Sequence, residues 1–228
     1  MWDGKVRDMP KIQSPFVRKI INGNYIVTSE IPDGLEWVFN DDSVLATEKL
    51  DGTDVSIVIE NGMITSIWNR TNRIPFFCKG KGFIIEGLLE SFDRGYCELP
   101  DGQWFGELIG PKVNGNPYNL KRHIWIPFET YVKDHLRYKS WGKYPKTFGA
   151  ISAWFEKDLF SLFVRRGGEI FNEGFGNQVT FPEGIVFVHP DGRMAKLRRD
   201  MFPWAKEQGI PIHKSIGEMR ENAKESES

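Results

Sequence analysis

Apolar and polar residues alternate over two neighbouring stretches of the chain, Thr53 to Glu60 and Met63 to Trp68. In the first, Val55, Ile57 and Ile59 fall on one face. A period of two is the signature of a half-buried strand. Asn61-Gly62 separates the two runs, and that dipeptide supplies the positive φ angles a tight hairpin turn needs. Further strands are expected at Val44–Leu50, Gln103–Ile109, His123–Tyr131, Gly184–Val188 and Met194–Arg198, the last two joined by His189-Pro190-Asp191-Gly192. Helical spacing appears twice. Lys81–Asp93 is one helix, and Lys146–Val164 reads as another, with Phe148, Ile151, Phe155, Leu159 and Leu162 on one side and Glu156, Lys157 and Asp158 on the other. Hairpins interrupted by helices, without strict strand–helix alternation, predict an α+β fold with mostly antiparallel sheets flanked by helices.

The chain has 228 residues, enough to bury a full core without staples. Residues 1–199 are expected to form one domain, and residues 200–228 a short C-terminal helical tail drawn from Asp200–Gly209 and Ser215–Lys224. The polar stretch from Glu218 to Ser228 is expected to fray. Two cysteines, Cys78 and Cys97, are too few for a disulfide scaffold or a four-ligand zinc site. Net charge is −1, which excludes a polycation but not a local basic patch. Such a patch exists in the sequence: residues 111–148 hold eight basic side chains against two acidic ones, a net +6, so the remainder carries −7. Tyr118, Tyr131, Tyr138, Trp141 and Tyr144 are interleaved with these cations. Clustered cations with aromatics suit a polyanion with stackable bases. The N-terminus reads as no signal peptide and no apolar run reaches membrane-span length, so a soluble, cytoplasmic protein is expected.

The chemistry centres on Ala46-Thr-Glu-Lys-Leu-Asp-Gly-Thr-Asp54. Lys49 ends a predicted strand and enters a turn at Asp51-Gly52. A lysine so placed can hold its amine in a cleft, where burial or nearby cations lower its pKa and expose the neutral nucleophile.

This stretch resembles motif I of the covalent nucleotidyltransferase superfamily, which contains ATP-dependent DNA ligases, RNA ligases and mRNA capping enzymes. Five further segments are similar to the other motifs of that superfamily and occur in its order. They are Asn69-Arg70-Thr71, Phe105-Gly106-Glu107-Leu108, Ile124-Trp125-Ile126-Pro127-Phe128-Glu129, Glu183-Gly184-Ile185-Val186-Phe187 and Lys196-Leu197-Arg198. The resemblance implies an ATP-grasp-like nucleotidyltransferase domain in which Lys49 attacks the α-phosphorus of ATP. It implies that Glu48 and Leu50 flank the nucleotide, Glu48 reaching the adenine amino group through its backbone. Glu107 would contact ribose, Glu183 the metal side, and Lys196 and Arg198 the phosphates. Arg70 would touch the ribose and then the acceptor end, with Arg73 a rival. Phe128 would stack on adenine, with Trp125 an alternative on the opposite strand face.

Glu48-Lys49-x-x-Gly52-Thr53, the run Gly106-Glu107-Leu108-Ile109-Gly110-Pro111 and Asn116-Pro117-Tyr118 are closest to RNA ligases of the phage nick-sealing type. DNA ligases usually carry Arg where this chain has Asp54. No room remains after Arg198 for an oligonucleotide-binding (OB) barrel. The implied activity is RNA ligation with ATP and Mg2+ (or Mn2+). AMP would pass from Lys49 to an RNA 5′-phosphate, which is then sealed to a 3′-hydroxyl. A monomer is expected, and a phage- or virus-encoded enzyme acting in a host cytoplasm fits the type. The alternatives are a minimal DNA ligase, a GTP-using capping enzyme, and a catalytically idle RNA-binding module.

Overall fold

A computed structural model describes residues 3–77, 79–95, 98–170 and 181–209. Cys78, Cys97 and the proposed Ser215–Lys224 helix lie outside the described residues. In chain order the elements are β1 (Arg18–Ile21), β2 (Asn24–Val27), α1 (Trp37–Asn40), β3 (Leu45–Lys49), β4 (Thr53–Glu60), β5 (Met63–Asn69), β6 (Asn72–Ile74), α2 (Gly82–Asp93), β7 (Gly102–Ile109), β8 (Ile124–Pro127), α3 (Lys133–His135), α4 (Phe148–Lys157), α5 (Leu162–Ile170), β9 (Gly184–Val188), β10 (Met194–Arg198) and α6 (Pro203–Glu207). They build three antiparallel sheets: β1-β2, β10-β9-β3 and β6-β5-β4-β7-β8. The architecture is α+β, as the hairpin pattern predicts, and no barrel closes among the described residues. Among them, no helix is long and apolar enough to cross a membrane.

The β4-β5 hairpin turns at Asn61 (φ 54°) and Gly62 (φ 72°), the backbone state its sequence favours. Val55, Ile57 and Ile59 point together from β4 onto α2, where they meet Ile84, Leu88 and Trp125. The opposite face of this sheet carries Asp54, Glu107 and Ile126 as cross-strand neighbours. The three-stranded sheet is divided in the same way. Ala46, Ile185, Phe187, Ala195 and Leu197 form its apolar face and pack on Ile151, Phe155 and Leu159. The other face carries Lys49, Gly184 and Arg198 in one row and Thr47, Val186 and Lys196 in the next. A third cluster, with Leu50, Ile109, Tyr118, Ile126 and Phe163, joins the two sheets beneath Lys49.

Both edges of the three-stranded sheet are covered. Residues 136–138 add to the free edge of β3 through Glu48 N–H to Leu136 O (2.8 Å) and Tyr138 N–H to Ala46 O (2.8 Å). Gln13 bridges β10, accepting from Lys196 N–H at 2.8 Å. Covered edges remove a template for unwanted strand addition.

Three expectations need correction. The helix read over Lys146–Val164 is two helices, broken between Lys157 and Leu162. Ser161 starts the second by accepting from Val164 N–H (3.1 Å), and its hydroxyl donates to Glu48 at 2.6 Å. A serine whose hydroxyl is captured at a new N-cap ends the periodicity that ran through it. The strand read over His123–Tyr131 stops at Pro127 because β8 is an edge strand and proline ends its ladder. Phe128–Val132 continues as a π-helical turn into α3. The β1-β2 hairpin, β6 and α1 leave no periodic pattern in the sequence, being built from elements of only three or four residues each.

The β9-β10 turn is tied to the chain before β3 by His189. Its Nε2 meets Asp41 Oδ2 at 2.8 Å and its Nδ1 meets Asp191 Oδ1 at 2.7 Å. Asp41 and Asp191 together raise the imidazole above its usual pKa, although Arg193 opposes them. A raised histidine contributes stability that is full below the unfolded value of about 6.5 and is lost as pH rises through the folded value. His189→Gln should therefore lower the thermal midpoint more at pH 5.5 than at pH 9, as read by paired melts; equal losses at both pH values would show the bridge carries no charge.

Candidate active site

Lys49 ends β3 on the face away from the Phe155 core, and its amine forms an ion pair with Glu183, the residue just before β9. The register makes this possible: Lys49 lies opposite Gly184 on one side, and Arg198 lies opposite the same glycine on the other. A Cβ on Gly184 would sit 2.7 Å from Arg198 Cα, so the absence of a side chain there is what lets β9 close up on the arginine strand. Glu107, from the five-stranded sheet, faces the pair from across the gap and acts electrostatically on Lys49. Lys49 Nζ also reaches Leu50 O at 3.4 Å.

Burial by itself would depress the Lys49 ammonium, as the sequence suggests. The carboxylates of Glu183 and Glu107 outweigh burial and raise it above the usual lysine value. The expected neutral nucleophile is therefore held as an ammonium here, and releasing it requires Glu183 to turn to another cation or to take the proton. The converse holds for Glu107. Burial pushes its carboxyl up to about 8, with Glu183, Asp54 and Asp51 adding to the rise against Lys49. Asp54, in register with Glu107, is pushed up to about 6 by burial and by Asp8, against Arg70 and Lys49. One oxygen each of Asp54 and Asp8 is buried without a hydrogen-bond partner. Excess carboxylate around one lysine is a costly arrangement in a fold, and groups perturbed in this way gather at functional sites.

Glu48 points the other way, as strand alternation requires. Its carboxylate is buried under α5, accepting from Ser161 Oγ (2.6 Å) and Phe163 N–H (2.8 Å). Burial pushes it up to about 7 despite those bonds. With both oxygens occupied, a Glu48 contact to adenine would have to come from its backbone. Leu50 is buried in the joining cluster.

Arg70 sits in the β5-β6 turn with φ 55° and faces Asp8 at 3.5 Å. Arg73, its rival, lies exposed on β6 opposite Trp68. Arg198 is buried and paired with Asp200 at 3.0 and 3.1 Å. Lys196 shares its strand face one row on. Trp125 is corrected as a candidate for stacking: it is 0% exposed, and its indole donates to Val55 O inside the α2 cluster. Phe128 begins the π-helical turn, half-buried against the joining cluster.

The structure thus brings Lys49, Glu107, Glu183 and Arg198 together, leaves Arg70 at the rim, and turns the Glu48 carboxylate away. Sequence reasoning missed Asp8 as a neighbour of Arg70. It noted Asp54 only as a departure from another pattern. The strand register of Asp54 to Glu107 could have found the second, whereas the first depends on the path of the N-terminal segment. That segment is anchored by Arg7 N–H to Gln103 Oε1 (2.8 Å) and Gln103 Nε2 to Arg7 O (2.7 Å).

Among the described residues, no group of three or more His, Cys, Asp or Glu side chains has the geometry to cage a metal ion. Two carboxylates with substrate phosphates are nevertheless the usual way Mg2+ is held. Glu107 and Glu183 fit that role, with the orphaned Asp54 oxygen beside them.

No protein-family model matches the chain, and no curated protein sequence does. Among solved structures, the chain is similar to RNA ligase from Naegleria gruberi. One structure, a point mutant with ATP and Mn, has 14% identity and a TM-score of 0.43, over 86% of this chain and 62% of that one. Another, with PPi, has 15% identity and a TM-score of 0.44, over 89% and 64%. A third, a mutant with AMP and Mn, has 14% identity and a TM-score of 0.43, over 89% and 64%. The chain therefore spans less than two thirds of the length of these structures.

Burial makes Glu107 a pH-dependent liability. Its folded pKa of about 8 lies above the unfolded value of about 4.3, so stability is full at low pH and falls as pH rises between them. Glu107→Gln should match wild type at pH 4.5 and melt higher at pH 8, by roughly 2–4 °C for each kcal/mol relieved. A variant that melts lower at pH 8 would show that the carboxylate is paired well enough to stabilise the fold.

Proposed function

We propose that this chain is an ATP-dependent RNA ligase that works through a covalent lysyl–AMP. The observation that carries the reading is the half-buried Lys49–Glu183 pair, faced by Glu107 and flanked on its sheet by Arg198 and Lys196. Those five residues are the ones that the superfamily motifs name, drawn from two sheets and 150 positions of chain.

In the first step Lys49, released from its pairing with Glu183, gives up a proton to water. The amine then attacks the α-phosphorus of ATP. An N–P bond forms, the bond to the bridging oxygen breaks, and pyrophosphate leaves. Arg198 and Lys196 supply positive charge on the same face, which favours the charge-rich transition state. Arg198 is pre-set by Asp200, so it meets the phosphates in a fixed orientation. A divalent cation held between Glu107, Glu183 and the phosphates would neutralise the polyphosphate when bound. In the second step an RNA 5′-phosphate oxygen attacks the same phosphorus, Lys49 leaves, and a 5′-to-5′ pyrophosphate forms. In the third, a 3′-hydroxyl attacks the 5′-phosphate and AMP departs.

Two surfaces support RNA as the acceptor. Residues 136–138 pair with the strand that carries Lys49, and the exposed Arg137, Lys139 and Lys143 follow directly along that surface. The interleaved aromatics expected to stack on bases divide differently. Tyr118, Tyr131 and Tyr138 are core residues, Trp141 packs against Phe187, and Tyr144 stands exposed. A second surface follows β6, where Phe77 is 101% exposed and Phe76 42%. Arg70, Arg73, Lys79 and Lys81 surround them in sequence with no acidic residue between. Exposed aromatics among cations are how single strands are gripped without base reading.

Incubation with ATP and a divalent cation should add one AMP to the intact chain by mass spectrometry, with the adduct on Lys49 and absent in Lys49→Ala. An adduct that persists in that variant overturns the assignment. GTP in place of ATP, and DNA in place of RNA, separate a capping enzyme and a DNA ligase from this reading. Reversing charge at Lys139 and Lys143 should weaken RNA binding and reduce its salt slope by about 0.7 for each phosphate that is no longer neutralised. AMP capture should continue. An unchanged slope would move the RNA surface away from residues 137–143.

A further inference from the structure

The two residues after Lys49-Leu50 have their polar groups taken by one loop, the connection between β7 and β8. Asp51 N–H donates to the Tyr118 hydroxyl oxygen at 2.8 Å. Asn114 Nδ2 donates to Asp51 Oδ1 at 2.8 Å and to Gly52 O at 2.7 Å. A backbone donor, a carboxylate and a backbone acceptor of the Asp51-Gly52 turn are thus met by two side chains more than sixty positions away.

The loop is itself set rigidly. Asn114, Gly115, Asn116 and Asn119 all adopt positive φ, and Asn116 clasps Leu120 from both sides, its amide donating to Leu120 O and its carbonyl accepting from Leu120 N–H at 2.9 Å each. Val113, Tyr118 and Leu120 are buried, and Lys112 N–H is held by His123 Nε2 at 3.0 Å. Asparagine enters the left-handed region more readily than other non-glycine side chains, and three of them shape this loop.

We infer that Tyr118 and Asn114 are positioning residues for Lys49: they hold the Asp51-Gly52 turn and so set the reach and direction of its amine. Lys49 is the last residue of β3, so the strand ladder fixes it from one side only. The other side is the turn, and its amine already touches the carbonyl of Leu50, the residue between strand and turn. A turn free to rock would swing Nζ between Glu183 and Leu50 O, and a displacement of an ångström is enough to cost a reaction about a hundredfold. Tyr118 adds a second effect. Its oxygen accepts from Asp51 N–H, which leaves its own proton to donate, and burial with Glu48, Asp51 and Glu183 nearby raises the phenol further from ionisation. It therefore stays an O–H at the turn after Lys49 rather than a titrating group.

This inference rests on the ligase reading for its role in catalysis, but the geometry of Lys49 can be read without ATP. Tyr118→Phe removes one oxygen, and Asn114→Ala removes an amide from an exposed position, so the second variant keeps the test open if the first fails to fold. In the AMP-capture assay, both should lower the maximal rate at least tenfold while the half-saturating ATP concentration changes less than threefold and the melting temperature of Asn114→Ala stays near wild type. In parallel, the rate at which a small acylating reagent modifies Lys49 at pH 9, followed by peptide mass spectrometry, should change at least threefold in Asn114→Ala. An unchanged acylation rate overturns the inference. Normal AMP capture by both variants, or a loss found wholly in half-saturation by ATP, also overturns it. If wild type captures no AMP while acylation still responds to Asn114→Ala, the ligase reading fails and the positioning of Lys49 stands.

Discussion

A half-buried lysine amine held between carboxylates is the constraint around which this molecule is organised. Withdrawing an ammonium from water carries a penalty unless it is paired, and the Lys49 amine is partly withdrawn with Glu183 at contact and Glu107 nearby. The attraction is more than enough to keep the lysine charged, but it leaves a surplus of negative groups. Glu107 and Asp54 are both driven toward their neutral forms, at about 8 and about 6. Breaking such a pair by removing one partner is strongly destabilising, whereas the pair itself adds little to stability. The site is therefore better understood as a charged device held in place by the fold than as a source of its stability.

What holds it is the strict alternation of β3. Along Ala46, Thr47, Glu48 and Lys49, successive side chains point to opposite faces, so the apolar sheet face and the reactive one are built by the same five residues. Glu48 anchors the strand to α5 through Ser161 and Phe163 N–H, while Lys49 is left to face the second sheet. The strand is also paired on both edges, by β9 and by residues 136–138. A nucleophile gains from this, since little of its geometry is left to be ordered at the moment of reaction.

The same connections couple the lysine to the outer surface. The segment that pairs with β3 leads straight into the exposed cations at Arg137, Lys139 and Lys143, and the turn after Lys49 is gripped by the loop between β7 and β8. On the far rim, Arg70 faces Asp8.

Local sequence determined a good deal of this. The β4-β5 hairpin, α2, the β9-β10 hairpin and the strand bearing Lys49 all follow from period-two alternation, helical spacing and turn residues, because those elements are long enough for pattern to outweigh context. The identity of the candidate nucleophile and its cation and carboxylate partners was equally legible, since each stands in a short motif. Tertiary structure decided what depends on distant partners. Ser161 breaks a continuous helical pattern because Glu48, more than a hundred positions earlier, holds its hydroxyl. Tyr118, Tyr131 and Tyr138 interleave with cations as a stacking surface would, yet they are buried because their segment packs between the sheets. The protonation of Lys49 departs from the local expectation for the same reason: burial is foreseeable from a strand end, but its reversal by Glu183 and Glu107 is set by through-space distance between two sheets, which no local pattern encodes.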